Sequence, residues 1–156
     1  MQIVGDQWTP LLEKLRDELR SPKRILLAIG ETIETITVEN MGRREGPDRP
    51  TPWPRLSYRY RKFLQQHYGD DRDYATLILE GDLLHSIHVQ MPSEKSVSVI
   101  ASAQYASLHQ EGGENSAGEP VPARPYFPEY PQGGGLTKNA QKKVLQAVDE
   151  VFQKIV

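Results

Sequence analysis

The sequence predicts an α+β fold, in which a small antiparallel or mixed sheet packs with an N-terminal helical region and a C-terminal amphipathic helix. Two observations carry this prediction. Apolar residues recur at helical spacing near both ends of the chain, whereas in the middle they alternate with the two-residue period of a strand. Proline and glycine gather in two stretches between these segments, which predicts two long irregular loops. A length of 156 residues fits a single domain.

Residues 1–41 are predicted to form a helical arm or hairpin. Thr9 and Pro10 suit an N-cap and a first helical residue, and leucines then recur on one helical face. A Ser-Pro pair at 21–22 ends or kinks that helix and begins another, in which isoleucines recur. Residues 35–38 would also suit a strand, but the length of the helical pattern favours a helix.

Residues 42–56 form the first predicted loop, because two glycines and four prolines there oppose a helix or a central strand. Trp53 is the single aromatic residue of this loop, so we expect Trp53, with Leu56, to anchor it to the domain. Ser57 then suits the N-cap of a helix that ends near Gly69.

Residues 57–110 are predicted to supply a helix and the sheet of the core. The segments 86–91 and 96–100 read as two antiparallel strands, the first closed by Pro92, with a turn over 92–95. The segment 105–109 fits either a helical turn or a strand.

Residues 111–135 form the second predicted loop, with six of the twelve glycines and five of the twelve prolines. A structureless loop of this length is unusual inside a domain, and such loops are commonly functional or ordered by a partner. Its segment 120–127 is stiffened by prolines, and its apolar residues suit either a partner's groove or the chain's own domain.

Residues 136–156 are predicted to be an amphipathic helix with Thr137 as its cap. Its apolar stripe includes Ala140 and Val144 and is widened by Leu145 and Phe152.

Charge is unevenly distributed along a chain whose net charge is only −2. Residues 43–62 carry seven Lys or Arg against two acids, a net of +5, whereas residues 63–121 carry nine acids against two bases, a net of −7. Opposite surfaces of this kind let copies of one chain attract each other head to tail, and such contacts close into rings when the rotation permits.

The composition argues against most catalytic and cofactor chemistry. The absence of cysteine excludes disulfides, thiolate metal sites and cysteine nucleophiles. The four histidines lack the spacing of a metal site, and the segment 133–138 lacks the order of a phosphate-binding loop. We therefore expect no enzyme, no cofactor and no metal. No apolar run has the length of a membrane span, and we expect neither an anchor nor a signal peptide.

A nucleic-acid interface is the main alternative from the residues alone. Arginines interleave with aromatic residues over 43–63, the pattern of single-strand binding. The remainder of the chain is acidic, which favours aromatics packed in the core and arginines facing an acidic neighbour.

Five short segments carry recognisable motifs, at residues 53–57, 78–87, 97–99, 105–112 and 122–126. In order, they match W-x-x-L-S, L-x-x-G-x-L followed by S-I, a V-x-V strand, Y-A-x-x-H-Q-x-G and P-A-R-P-aromatic. Taken together and in this order, they resemble the phage virion morphogenesis family of tail completion proteins.

The resemblance implies a non-enzymatic, tail-terminator-like protein at the head–tail junction. Such a subunit joins a ring, commonly of six copies, that caps the tail tube and binds neck proteins, while DNA passes through without specific binding. The protein would lie in the virion, and in the host bacterial cytoplasm during assembly. We expect Arg124 to pair with a carboxylate or backbone carbonyls near a subunit contact. The full set of predicted interaction residues is Trp53, Arg55, Leu56, Tyr105, His109, Arg124, Tyr126 and Phe127.

Overall fold

The computed structural model describes residues 8–47, 52–70, 72, 76–130 and 133–155. Within these ranges the chain forms six helices and two small antiparallel sheets, each of two strands, which confirms the predicted α+β class. The helices are α1 (Trp8–Arg20), α2 (Lys23–Arg43), α3 (Tyr58–Tyr68), α4 (Asp82–His85), α5 (Ala106–Glu111) and α6 (Lys138–Gln153). The strands are β1 (Ile87–Ser93), β2 (Ser96–Ala101), β3 (Gly113–Glu114) and β4 (Pro120–Val121).

Helix α2 lies at the centre of the molecule, packed against α6 and against both strands of the β1–β2 hairpin. Gly30 allows this close approach. A Cβ atom at Gly30 would lie 2.7 Å from both Val89 Cγ1 and Val97 Cγ2, which is nearer than carbon atoms pack. The two valine side chains are short and stiff at χ1, so they have little freedom to move aside.

Gly30→Ala is therefore expected to destabilise the protein, by about 1–3 kcal/mol from overpacking, less the gain in helix propensity of up to about 1 kcal/mol. Gly42→Ala is the matched control, because Gly42 lies in the same helix and a Cβ there would meet nothing within 4 Å. Urea unfolding of both variants measures the difference. Equal stability of the two variants would show that the helix and the hairpin separate easily.

The hairpin has the predicted antiparallel pairing, with Ile87 opposite Ala101 and Val89 opposite Val99. The prediction that Pro92 closes the first strand is wrong, since β1 continues to Ser93. The register shifts between Gln90 and Ser93. Such an irregularity admits a proline, which has no N–H to donate to the neighbouring strand.

Both predicted loops contain regular pairing among their described residues. In the first, Glu45 bridges to Pro52, while residues 48–51 lie outside the described residues. In the second, the two-residue strands β3 and β4 pair and Glu129 bridges to Leu136, so this long loop contains short regular pairings. Glycine and proline prevent longer helices and strands in these loops. The short pairings therefore supply hydrogen-bond partners for backbone N–H and C=O groups.

Several helix ends lie where the sequence predicts them. Ser57 Oγ accepts a hydrogen bond from the Tyr60 amide at 3.2 Å, and Gly69 ends α3 in the left-handed conformation. Thr137 caps α6. The expectation for Thr9 is wrong, because α1 already includes Trp8. Leu145 is another exception: it is 68% exposed and does not widen the packed stripe of α6.

The hydrophobic core draws on both loops as well as on the regular elements. Its buried members come from α2, the first loop, α4, β1, α5 and the second loop, in the order Met41, Trp53, Leu83, Ile87, Ala106 and Tyr126. The two loops are therefore held by side chains inserted into the core, rather than lying on its surface.

Candidate interaction site

The first and second loops meet at a buried junction, and Trp53 is its first component. The indole is buried, and its Nε1 donates a hydrogen bond to the Pro125 carbonyl at 3.0 Å. The Trp53 amide also donates to the Arg44 carbonyl at 3.0 Å. One residue thus fixes the first loop to the end of α2 and to the second loop.

Arg124 is the second component of the junction. It is only 3% exposed, and its guanidinium donates to the carbonyls of Pro54 and Arg55, each at 3.0 Å. The Arg124 amide donates to the His109 carbonyl at 2.7 Å. Because the planar guanidinium donates in two fixed directions, it holds two successive carbonyls of the first loop in a defined geometry.

Tyr126 is the third component and is fully buried. Its hydroxyl donates to the Ala106 carbonyl at 3.0 Å, and its amide donates to Gln110 Oε1 at 2.9 Å. Asn40 Nδ2 donates to the Tyr126 carbonyl at 3.0 Å. Burial raises the pKa of Tyr126 to about 12, so the hydroxyl stays protonated and remains a donor at neutral pH.

Gln110 and Asn40 are junction residues that the sequence did not single out. Gln110 Oε1 also accepts from the Phe127 amide at 3.2 Å, so one side chain orders two consecutive peptide groups. Gln110 belongs to the Y-A-x-x-H-Q-x-G motif, so the motif could have identified it as a functional residue. No motif in the sequence includes Asn40, whose hydrogen-bond partner lies 86 residues away.

His109 is half-buried beside Arg124. Its Nδ1 atom is buried and has no hydrogen-bond partner among the described residues. Burial lowers the pKa of His109, and the neighbouring charge of Arg124 lowers it further. The Tyr105 ring meets the His109 ring edge-on, with centroids 5.7 Å apart. The imidazole is therefore neutral at pH 7 and serves as a packing surface.

The lowered pKa of His109 makes stability depend on pH. Below about pH 6.5, the ordinary histidine value, the unfolded chain takes up a proton at His109 before the folded chain does. The free energy of unfolding should consequently fall as the pH drops from 7 towards 5, until the folded pKa is passed. Urea unfolding of the wild type and of His109→Gln at several pH values tests this. If both proteins show the same slope, His109 does not contribute to it.

The remaining predicted interaction residues lie around this junction. Leu56 is half-buried, and its carbonyl accepts from Arg61 Nε at 3.2 Å. Arg55 is exposed, and its backbone carbonyl accepts a hydrogen bond from the Arg124 guanidinium. Phe127 packs against the core, whereas Tyr105 remains exposed. Trp53, Arg124 and Tyr126 thus come together inside the subunit, and only Tyr105 and Arg55 have side chains at the surface.

Exposed aromatic side chains gather on and near α3. We name as the tyrosine surface four residues that are each 39–46% exposed, namely Tyr60, Phe63, Tyr68 and Tyr105. The Tyr60 and Phe63 rings stack with centroids 6.0 Å apart. The Tyr68 hydroxyl donates to Glu80 at 2.7 Å, so an acidic side chain borders this surface.

The basic and acidic segments meet within the subunit at an ion pair between Arg59 on α3 and Glu119 in the second loop. Both side chains are exposed, so the pair contributes little to stability. It does bring part of the basic segment against part of the acidic one.

Among the described residues, no group of three or more His, Cys, Asp or Glu side chains is placed to hold a metal ion. The helices within those same ranges are too short or too polar to cross a membrane.

A model of a known protein family matches most of the chain. A search of curated proteins and a search of solved structures each found nothing similar to the chain. The model of the phage virion morphogenesis family matches residues 4–153, which is nearly the whole chain and includes all five motif segments. The chain therefore belongs to the phage virion morphogenesis family.

Proposed function

We propose that the protein is a tail completion protein of the terminator type, which forms a ring at the head–tail junction, caps the tail tube and joins it to the neck. In this proposal it acts by contact and performs no catalysis. Its partners are copies of itself and the neighbouring tail and neck proteins, and DNA passes through the ring without specific binding.

The observation that carries the proposal is the amount of apolar surface left uncovered on a family member of this size. Nine large hydrophobic side chains are exposed among the described residues, and five of them are aromatic. Contiguous exposed apolar patches on small proteins mark interaction surfaces, and aromatic residues are enriched in protein–protein interfaces. The opposite net charges of residues 43–62 and 63–121 support contacts between copies.

Mass measurements test this proposal. The purified chain should form a ring in solution, or should be present in virions as a ring at the junction, as seen by native mass spectrometry and electron microscopy of particles. Particles assembled without the protein should contain heads that are not joined to tails. A chain that is monomeric both in solution and in virions, or is absent from virions, contradicts the proposal.

A second candidate is an accessory protein that binds single-stranded nucleic acid through residues 43–63. Tyr58, Tyr60 and Phe63 are exposed and could stack on bases. Against this, Trp53 is buried under the Pro125 carbonyl, and Arg59 is paired with Glu119. Fluorescence anisotropy with single-stranded DNA at low salt separates the candidates. Binding that is lost when Arg55, Arg59 and Arg61 become alanine would favour the second one.

A further inference from the structure

The β1–β2 sheet has only two strands, so each strand has one free edge. Among the described residues, no further strand pairs with β1 or β2, and no backbone hydrogen bond joins either strand to another element. A two-stranded hairpin is only marginally stable by itself, and a free edge presents unpaired N–H and C=O groups to other strands. Packing against α2 supports one face of this sheet but supplies no hydrogen bonds to its edges.

The alternation of hydrogen bonds identifies the residues of β2 that face its free edge. The Ser102 amide donates to the Ser86 carbonyl at 3.1 Å, so this pair points inward, between the two segments. In an antiparallel pair the backbone groups point alternately towards and away from the partner, so those of Ile100 and Ser98 also point towards β1. The remaining residues point to the free edge, namely Val97, Val99 and Ala101.

These outward residues also carry the apolar side chains of the sheet. Val89 and Val97 lie close to Gly30 of α2, and Val99 is directly opposite Val89, so the three valines share the face that α2 covers. Val97 and Val99 nevertheless remain half-buried. A strand added beside β2 would cover the apolar surface that α2 leaves open.

The edge of β2 lacks the features by which proteins usually prevent edge strands from pairing. Those features are lysines, prolines and bulges on the edge strand. The strand Ser96–Ala101 contains no charged residue, proline or glycine, and the irregular register lies in β1, between Gln90 and Ser93. An unprotected edge of this kind indicates that another strand covers β2 in the assembled protein.

The first strand of a second copy has the properties that this edge requires. The sequences of β1 and β2 are complementary, since they already pair inside the subunit. On the free edge of β1, Ile87 and Val89 are the outward residues by the same alternation, and their side chains are apolar, so hydrogen bonding and burial favour the same register. Neither 87–90 nor 96–101 contains Asp, Glu, Lys or Arg, so no like charges oppose the pairing. A strand from a different protein would leave the β1 edge open, whereas pairing between copies uses both edges.

We propose that β2 of one copy pairs in antiparallel orientation with β1 of the next copy, which extends the two-stranded sheet across the contact between subunits. Each copy then uses one edge for each of its two neighbours, so the contact is heterologous and closes into a ring when the rotation permits. This inference rests on the proposed function and names the elements that join the copies.

Disulfide formation tests the pairing directly, because the chain contains no cysteine. His88, Gln90 and Ser98 lie on the face of the sheet away from α2, where directly opposed Cβ atoms of an added strand lie within reach of a disulfide. Ser98→Cys copies mixed with either His88→Cys or Gln90→Cys copies should form covalent dimers on oxidation, in at least one of the two mixtures. Each copy carries a single cysteine, so no disulfide can form inside a subunit.

Two controls accompany the mixtures. Ser98→Cys copies alone should give no disulfide, because β2 strands of adjacent copies would be two strand spacings apart, about 10 Å. Leu145→Cys mixed with Gln90→Cys should give no more dimer than random collision, since Leu145 is 68% exposed but lies on α6. Circular dichroism should show that all of the variants fold.

Amide hydrogen exchange tests the same pairing without any substitution. In dilute monomers, the outward amides of Val97 and Val99 should exchange rapidly, whereas the inward amides of Ser98 and Ile100 should be protected by β1. In rings, exchange of the outward amides should slow by about 10-fold or more, and the inward amides of the same strand serve as the matched controls.

The outcomes separate this inference from the proposed function. Wild-type rings in which the Val97 and Val99 amides still exchange rapidly, or cysteine variants that form rings without either disulfide, overturn the inference and leave the proposed function standing. A disulfide between two Ser98→Cys copies also overturns it, because β2 would then pair with itself. A wild type that forms no ring in solution or in virions removes both.

Discussion

Replacing Tyr126 with alanine is expected to lower the free energy of unfolding by about 3–5 kcal/mol, as for other large aromatic side chains removed from a core. Tyr126 is fully buried among residues from α2, α4, β1 and α5, so removing its side chain leaves a cavity inside the core. The substitution also leaves the Ala106 carbonyl without its hydroxyl donor. For a domain of this size the midpoint of thermal unfolding should fall by roughly 6–20 °C.

Two control variants show which part of Tyr126 matters. Tyr126→Phe keeps the ring and loses only the hydrogen bond to the Ala106 carbonyl, so a loss of about 1–2 kcal/mol is expected. Tyr58→Ala removes the same side chain from a position that is 73% exposed, and should change stability by no more than about 0.5 kcal/mol. If Tyr126→Ala were as mild as Tyr58→Ala, the second loop would not be part of the core.

The second large effect is expected from Arg124→Ala, with a loss of about 2–4 kcal/mol from two hydrogen bonds to a charged group in a buried site. The guanidinium is the link between the second loop and the carbonyls of Pro54 and Arg55. Removing it frees the first loop at the point where Trp53 enters the core. Urea unfolding followed by circular dichroism measures this loss.

Two control variants separate the effect of the positive charge of Arg124 from the effect of its position in the chain. Arg124→Lys keeps a positive charge but lacks the planar fork, so it should recover less than half of the lost stability. Arg55→Ala removes the same kind of side chain nearby and leaves intact the backbone carbonyl that binds Arg124, so stability should change little. An Arg124→Ala variant with wild-type stability and defective assembly would return this residue to the subunit contact expected from the sequence.

The junction also bears on assembly through Tyr105. This residue is the cap of α5, and the carbonyl of His109 in that helix accepts the hydrogen bond from the Arg124 amide. Loosening the junction should therefore disturb the tyrosine surface without touching it.

The sequence by itself determined the features that depend on near neighbours. Ser57 and Thr137 cap helices because their side-chain oxygens reach an amide three residues along the chain, and Gly69 ends α3 because glycine accepts the left-handed conformation. The alternation over 87–101 likewise predicted the hairpin. The motif order predicted the family, since five segments in sequence are sufficient for that without any knowledge of their contacts.

Only the tertiary structure decided where the motif side chains go. The segment that contains Arg124 suited a partner's groove and the chain's own domain equally well, and Arg124 is buried because the two loops meet. Asn40 contributes to this junction, and Gly30 lies where α2 packs against the β1–β2 hairpin. Neither residue belongs to a recognisable pattern in the sequence. Their contacts connect residues about 60–90 positions apart, as with the 86-residue separation of Asn40 and Tyr126. Which distant segments meet depends on how all the apolar faces pack at once, and local spacing does not encode that.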